Sequence, residues 1–528
     1  HDKIKKTIFY ENATLKLYDI PIFYFPRFFH PDPTVKRQSG FLSPFYSKTS
    51  TTGVGMGTPY FWAIDDDKDL TFSPKFYADE NPLYLNEYRQ AFKNGFLTLD
   101  TGFTQGFKNT TSTKKEGSRN HIFADYFLNF NKDDSYQNNF HLKLQRTSND
   151  TYFKKHNIDT ALVDADNRNL EDEIRYSFYK DNTFFDISAS AYENLDIDKK
   201  SDKYEYVLPN ILYGKTFFTE NFGTVNFTSN ALFNKYETNK QTTFLTNEMI
   251  WSPSSKITKN GFMNTFEGMI RNTNYEAKKT SDYKNNATVN EINTVLTYKS
   301  SLPLKKDGMN YSKLFSPNFM IRYAPGHMRN LSSKDVRLNY TNLYAMNKTS
   351  EIEDGLSAIL GFDYKINDKT EDKEKLSLSL GQIFNYEINK DMPTKSSLDQ
   401  KMSDVVGEMN YNFSNIGNIN YKFTVDHNFS DINYNEVGTS LNFGAVKFNL
   451  EYLEQQNHVG TEHYVNSGVS LNFDDKNKLS FSTKKNFKTE STELYNLSYQ
   501  YELDCLRAGL DYKREFYQDD DIDTKNSL

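Results

Sequence analysis

The sequence predicts an all-β protein, a large antiparallel transmembrane β-barrel of roughly 25 strands preceded by a short separate β segment. Three observations predict it. Side chains alternate apolar and polar through almost every segment after residue 40, turn clusters punctuate that alternation at near-even spacing, and no run of about 18 apolar residues exists to serve as a membrane helix. Composition agrees: among 528 residues only 37% are hydrophobic, yet 16% are aromatic, with 43 Phe and 37 Tyr. A disordered chain would carry few rings. The mean hydropathy of -0.76 fits a membrane barrel, whose strands need only alternate residues to be apolar.

The strand elements follow from period two. In FHLKLQ, Phe140, Leu142 and Leu144 alternate with His141, Lys143 and Gln145; in FFDISASAYENL, Phe185, Ile187, Ala189 and Ala191 alternate with Asp186, Ser188 and Ser190. VKFNLEYL and GVSLNF, from Val446 and Gly468, repeat the pattern. Between them lie NKDDSYQNN, YKDNT, NKDMPTKSS and FDDKNK, rich in Asn, Asp and Lys. No segment of helical period is long enough to matter; DTALVDADNRNLEDE, 159–173, is the nearest, and its acidity suits an exposed loop. A meander this long closes into a barrel, because open sheets rarely exceed about ten strands and leave two unpaired edges. About two dozen strands enclose a lumen too wide for side chains to fill, so the apolar set faces outward into lipid and the aromatic excess forms interface girdles.

The first residues differ. TIFYENATLKLYDIPIFYFPRFFHPDPTVKR holds tight apolar strands ending in an exit spaced by Pro21, Pro26, Pro31 and Pro33, and reads as the last turns of a separate β domain over 1–36, with a stiff connector into a barrel domain over 37–528. HDKIKKTIFY has no apolar leader segment and no initiator Met, which suggests the interior of a longer chain. The barrel opens on RQSGFLSPFYSKTSTTGVGMGTPYFWAIDDDKDLTFSP, 37–74, a hairpin around Gly53, Gly55 and Gly57 with Pro44 in one arm and Pro59 in the other. Proline donates no backbone hydrogen bond, so each is a ladder breaker. The single cysteine, Cys505, is either a lone buried thiol or half of a bridge to a partner outside this chain.

Other classes are disfavoured. A net charge of -7 with both signs interspersed argues against a nucleic-acid partner. IDDDKD, YKDN and QDDDID read as solvated turns; the last lacks the glycine and closing glutamate of a calcium loop, and the nine histidines show no H-x-x-x-H pair, so neither a metal site nor a cofactor is expected. No nucleophile elbow or phosphate-binding loop stands in a strand-to-helix context, so no enzyme is expected either.

DIPIFYFPRFFHPDPTVKRQSGFLSP, TPYFWAI, DLTFSPKFYAD and EYRQAF, followed by LQRTSNDTYF, YVLPNILY, IEDGLSAILGFDY, LGQIF and YELDCLRAGLDYKREFYQDDD, resemble the lipopolysaccharide-assembly outer-membrane family LptD, also called OstA or organic solvent tolerance protein, in the same order along essentially the whole chain. The resemblance implies a plugged barrel of about 26 strands behind a periplasmic β-jellyroll, 1–36 being the jellyroll's end. It implies an outer-membrane translocon that inserts lipopolysaccharide into the outer leaflet and releases it sideways through a lateral gate between the first and last strands, with prolines at Pro44 and Pro59 loosening the seam. The implied partners are lipopolysaccharide, outer-membrane lipids, the plug lipoprotein LptE and a periplasmic bridge protein such as LptA. Cys505 matches a cysteine that pairs with one near the mature N-terminus; here Asp504 precedes it where some members carry adjacent cysteines, so at most one such bridge is possible. After YKREFYQDDDIDTKNSL, 512–528, the family continues into one closing strand, expected to begin about where this chain stops.

Two rival classes remain at this point, another large outer-membrane barrel and a secreted β-rich binding or carbohydrate-active protein. A receptor-type transporter needs its own N-terminal plug domain, for which forty residues are too few, and a porin ordinarily uses fewer strands without the proline pair. A secreted β-rich binding protein would need a packed soluble core.

Overall fold

The computed structural model describes residues 7–527 apart from 18–19, 33, 36, 109–115, 132–134, 165–166, 196–200, 221, 414, 489–490, 504–505 and 516–525. Strands β1 (Thr7–Leu17) and β2 (Ile20–Pro31) form a two-stranded sheet of their own, and all later strands belong to a single antiparallel sheet of the barrel class. No helix among the described residues is long and apolar enough to cross a membrane. The fold is the large all-β transmembrane barrel that the alternation predicts. Two compact units make up the chain: His1–Phe130 with Asn139–Glu173, and Asn131–Asn138 with Ile174–Leu528.

In the first unit the sheet starts with β3 (Gly40–Phe41), β4 (Phe45–Thr49), β5 (Gly53–Gly57), β6 (Tyr60–Asp65) and β7 (Lys68–Tyr77), and continues through β8 (Leu83–Phe92), β9 (Gly95–Gly106), β10 (Glu116–Asn129) and β11 (Tyr136–Thr147). Period two holds residue by residue. Along β5 and β6, Val54, Met56, Tyr60, Trp62 and Ile64 are exposed while Gly55, Gly57 and Phe61 turn to the other face. The apolar exposed row is the lipid-facing one.

A helix that periodicity did not reveal follows β11: α1, Tyr152–His156, one turn long. With its flanks it folds back against the polar face of the strands, where Phe153 stacks on Phe123 at 5.1 Å and Ile158 and Val163 are buried. Of 159–173, the described residues 159–164 and 167–168 are non-helical, as expected of a loop, with Val163 buried and Ala161 exposed, but 169–173 already belong to the next strand, so the loop is shorter than the acidic run suggested.

In the second unit consecutive hairpins place the connections 325–354, 386–404, 426–431 and 456–462 on one rim. The first carries α2 (Tyr340–Leu343), capped by the Asn339 side chain on the Asn342 N–H. Leu338, Leu343, Met392 and Leu398 from these connections pack on Met320, Ile359, Ile383 and Val406 of the strands. Leu360, next to Ile359, is exposed on the lipid face, so the connections cover the opposite, inner face. Asn526–Ser527 form a two-residue strand against Lys513 and Arg514.

Candidate functional site: a proline row in the opening hairpin

Pro44 and Pro59 do not lie within unbroken strands. Each stands where its arm is split, Pro44 between β3 and β4 and Pro59 between β5 and β6, and each immediately precedes the second half. The two breaks meet. Gly40 faces Phe61 and Phe41 faces Tyr60, the Leu42 N–H donates to the Pro59 carbonyl at 2.8 Å, and pairing resumes one residue out of step with Phe45 facing Gly57. That shift is a bulge, with Ser43 and Pro44 accommodated against Thr58. In an antiparallel ladder directly opposed residues exchange two hydrogen bonds or none. Leu42 and Pro59 therefore form half of a two-bond pair, and the missing half is the donor that Pro59 lacks.

A third proline joins them. β5 pairs with β7 through Met56 and Phe76, β6 through Tyr60 and Phe72, and the same register carried across the gap sets Thr58 against Pro74. The Pro74 carbonyl lies so close to Gly57 that a Cβ there would come within 2.3 Å of it. Pro74 thus faces the broken arm, and its absent N–H is a second missing donor at the same level, on the arm's other side. Sequence reading singled out two prolines and missed this one; the equal spacing 44, 59, 74 was the available signal.

Around the defect, side chains hold what the ladder does not. Phe45 covers Gly57, with the Lys75 ammonium 5.2 Å from its ring centroid. Phe41 meets Tyr60 edge-on at 5.1 Å on the lipid face. Below the break, the Arg37 guanidinium pairs with Asp69 and donates to the Asp66 carbonyl at 2.9 Å, while Arg89 reaches the same Asp69 at 2.9 Å. Asp69 is nearly buried, so this two-arginine clamp is worth more than an exposed pair. The hairpin is pinned at its open end, beside the turn between β6 and β7, and weak in its middle.

Behind β7 a second arrangement was not legible in the sequence. The Lys155 ammonium of α1 sits 3.4 Å from the Glu80 carboxylate, both wholly buried, and 4.1 Å above the Phe107 ring. The other Glu80 oxygen accepts the N–H groups of Asn81 at 2.9 Å and Lys108 at 2.7 Å. Beside them His121 bridges Asp100 at 2.7 Å and the Tyr152 hydroxyl at 3.3 Å. Burial, with Tyr77 and Asp100 nearby, pushes the Tyr152 hydroxyl well above its ordinary range, so it stays protonated. These contacts anchor α1 to the segment leaving β7, and the His156 ring lies 5.7 Å from that of Tyr77 at the strand's end. Cys505 lies outside the described residues.

Comparison with known proteins fits this architecture. A family model described as LptD, LPS transport system D, matches residues 118–504. The LPS-assembly protein LptD of Shewanella oneidensis is 25% identical over 550 residues, covering 97% of this chain and 68% of that protein. The LPS-assembly protein LptD of Nitrosococcus oceani is 31% identical over 135 residues, 24% of this chain and 18% of its own. Among solved structures, BauA, the ferric preacinetobactin receptor of Acinetobacter baumannii, aligns over 93% of this chain and 81% of its own at 8% identity and a TM-score of 0.30, too slight a likeness to carry an argument. A family model spanning most of the chain, on a transmembrane antiparallel barrel, settles the assignment: the chain belongs to the LptD family of outer-membrane proteins, which insert lipopolysaccharide into the outer membrane.

Proposed function

We propose that lipopolysaccharide leaves this barrel sideways, through a lateral gate between the first and last strands, and that the proline row is what makes the first strand part. The supporting observation is that Pro44, Pro59 and Pro74 interrupt adjacent ladders at one level. In hydrocarbon every backbone group left without a partner costs several kcal/mol, so an intact seam would not open on its own. A strand whose donors are already missing loses less when it parts. The substrate's lipid tails would pass from the seam into the bilayer past the exposed Phe41, Tyr46 and Trp62 while its sugars cross the lumen.

The rest of the assembly follows the family. Residues 1–36 are the end of a periplasmic jellyroll that receives substrate from a bridge protein such as LptA, 37–528 is the barrel, LptE is its plug, and Cys505 pairs with a cysteine of the jellyroll. The long connections at 325–354 and 386–404 then lie on the extracellular rim, since barrels of this kind keep short turns on the periplasmic side. The chain moves its substrate without a covalent step and acts as no enzyme.

Photocrosslinking in intact cells tests the gate. A crosslinking residue at Tyr46, whose side chain is 61% exposed, should capture lipopolysaccharide, whereas one at Ile292, 70% exposed on a remote strand, should not. Equal capture at both, or capture at Ile292 alone, would overturn the lateral route.

A further inference from the structure

On the rim of the second unit, three side chains from two connections bring metal-binding atoms together. Asp404 ends the connection 386–404, and Asp426 and His427 open the connection 426–431; one donor atom of each lies within 4.8 Å of the others. We propose that Asp404, Asp426 and His427 form a binding site for a zinc-class divalent cation that ties these connections to each other.

Hydrogen bonding alone does not account for the cluster. Asp404 is 1% exposed, and of its two carboxylate oxygens Oδ2 accepts from Asn433 Nδ2 at 2.9 Å and faces His458 Nε2 at 3.0 Å. Oδ1 is buried with no hydrogen-bond partner. A buried carboxylate oxygen normally finds a donor, and leaving one without costs about 1–3 kcal/mol or more for a charged group. His427 Nδ1 repeats the pattern: it is buried and lies 2.9 Å from Asp426 Oδ1, yet the two are not aligned as donor and acceptor. Asp404 thus brings an unpartnered buried oxygen to a group whose donor atoms lie within 4.8 Å of one another, a spacing that ligands of one ion can take. The carboxyl of Asp426 is steadied by Ser430 Oγ at 3.0 Å, and the Asn433 contact orients Asp404, the outer hydrogen bonds that metal ligands commonly carry.

The donor set selects the ion. Two carboxylates and one imidazole suit zinc, which binds such ligands at about 2.0–2.2 Å, better than calcium or magnesium, which take oxygen ligands throughout. Asp426 and His427 are partly exposed, so they can close on an ion that Asp404 holds from beneath, leaving a solvent-facing position for water.

The test uses the full chain in detergent, with ZnCl2 alone as the probe and heat-modified gel migration as the check on folding. Calorimetry should find one tight zinc per chain, with affinity at least tenfold lower in His427→Gln and in Asp426→Asn, and with millimolar MgCl2 failing to compete. Zinc-edge X-ray absorption on the unaltered chain should show one imidazole among oxygen ligands, which needs no variant to fold. Unchanged zinc affinity in both variants, or an absorption spectrum with two or more imidazoles, would overturn the site.

Discussion

Replacing Pro59 by alanine restores a donor whose acceptor the structure identifies. The Leu42 N–H already donates to the Pro59 carbonyl at 2.8 Å, so an alanine N–H at 59 points at the Leu42 carbonyl and completes the pair. A backbone hydrogen bond is worth about 0.5–1.5 kcal/mol net, and near 1 kcal/mol it lowers the population of the parted state roughly fivefold, somewhat more where lipid replaces water. Hydrogen exchange reads this directly: in Pro59→Ala the Leu42 amide should exchange about fivefold more slowly when normalised to amides of a remote strand. Normalising matters, because losing a proline also frees the unfolded chain and affects all amides alike. Lipopolysaccharide delivery in cells should slow in parallel. If Leu42 exchange stayed within twofold of the parent and delivery were unchanged, the proline would be a bend and the weak-seam argument would fail.

Three further outcomes follow from the geometry. Lys155→Met should cost about 3–5 kcal/mol in denaturant titrations by stranding a buried Glu80, and adding Glu80→Gln, which keeps an acceptor for Asn81 and Lys108, should recover part of that loss. Burial holds the Lys348 ammonium down to about 8 from 10.5, against the pull of Glu353 at 3.9 Å and with the push of Arg322 and Lys299. Between those values the unfolded chain keeps a proton that the folded chain has released, so protection of the connection 325–354 from protease should rise with pH across that window, and Lys348→Met should flatten the profile. Gly57→Ala drives a Cβ against the Pro74 carbonyl and the Phe45 ring, and should lower the temperature of heat-modified migration by the equivalent of about 1–3 kcal/mol.

What the sequence made legible was what period two and turn chemistry can carry. FHLKLQ lies within β11, and YKDNT marks the turn at Asp181, whose φ of 50° is the left-handed conformation that aspartate tolerates. The proline pair stood out for the same local reason, as residues that contradict the strands around them. Contacts between connections were illegible. Glu80 and Lys155 are far apart in the chain, and nothing in either neighbourhood announces the other. Leu338, Leu343 and Met392 sit in segments without periodicity and gain their role only when the hairpins bring their connections to one rim. The donors at Asp404, Asp426 and His427 escaped a search for metal-ligand spacing because no short motif holds them, and the three acidic runs that spacing did offer are different residues.

The third proline separates a hinge from a bend. A bend needs one interruption per strand at any height, whereas a seam that pivots needs the interruptions aligned, so that the ladder is weak along a line. Pro59 removes a donor from the ladder between the two arms, and Pro74, with its carbonyl against Gly57, removes one from the ladder between the second arm and β7. The second arm is therefore loosened on both sides at one level. Because the donors belong to different ladders, the two substitutions should have separable signatures. Pro74→Ala should protect the second arm against parting from β7 and slow delivery while leaving exchange at Leu42 as it was; Pro59→Ala should do the reverse at Leu42; and the double variant should slow delivery by roughly the product of the two. A Pro74→Ala variant that delivered lipopolysaccharide at the parental rate would confine the weak line to the first ladder and reduce the equal spacing of the three prolines to coincidence.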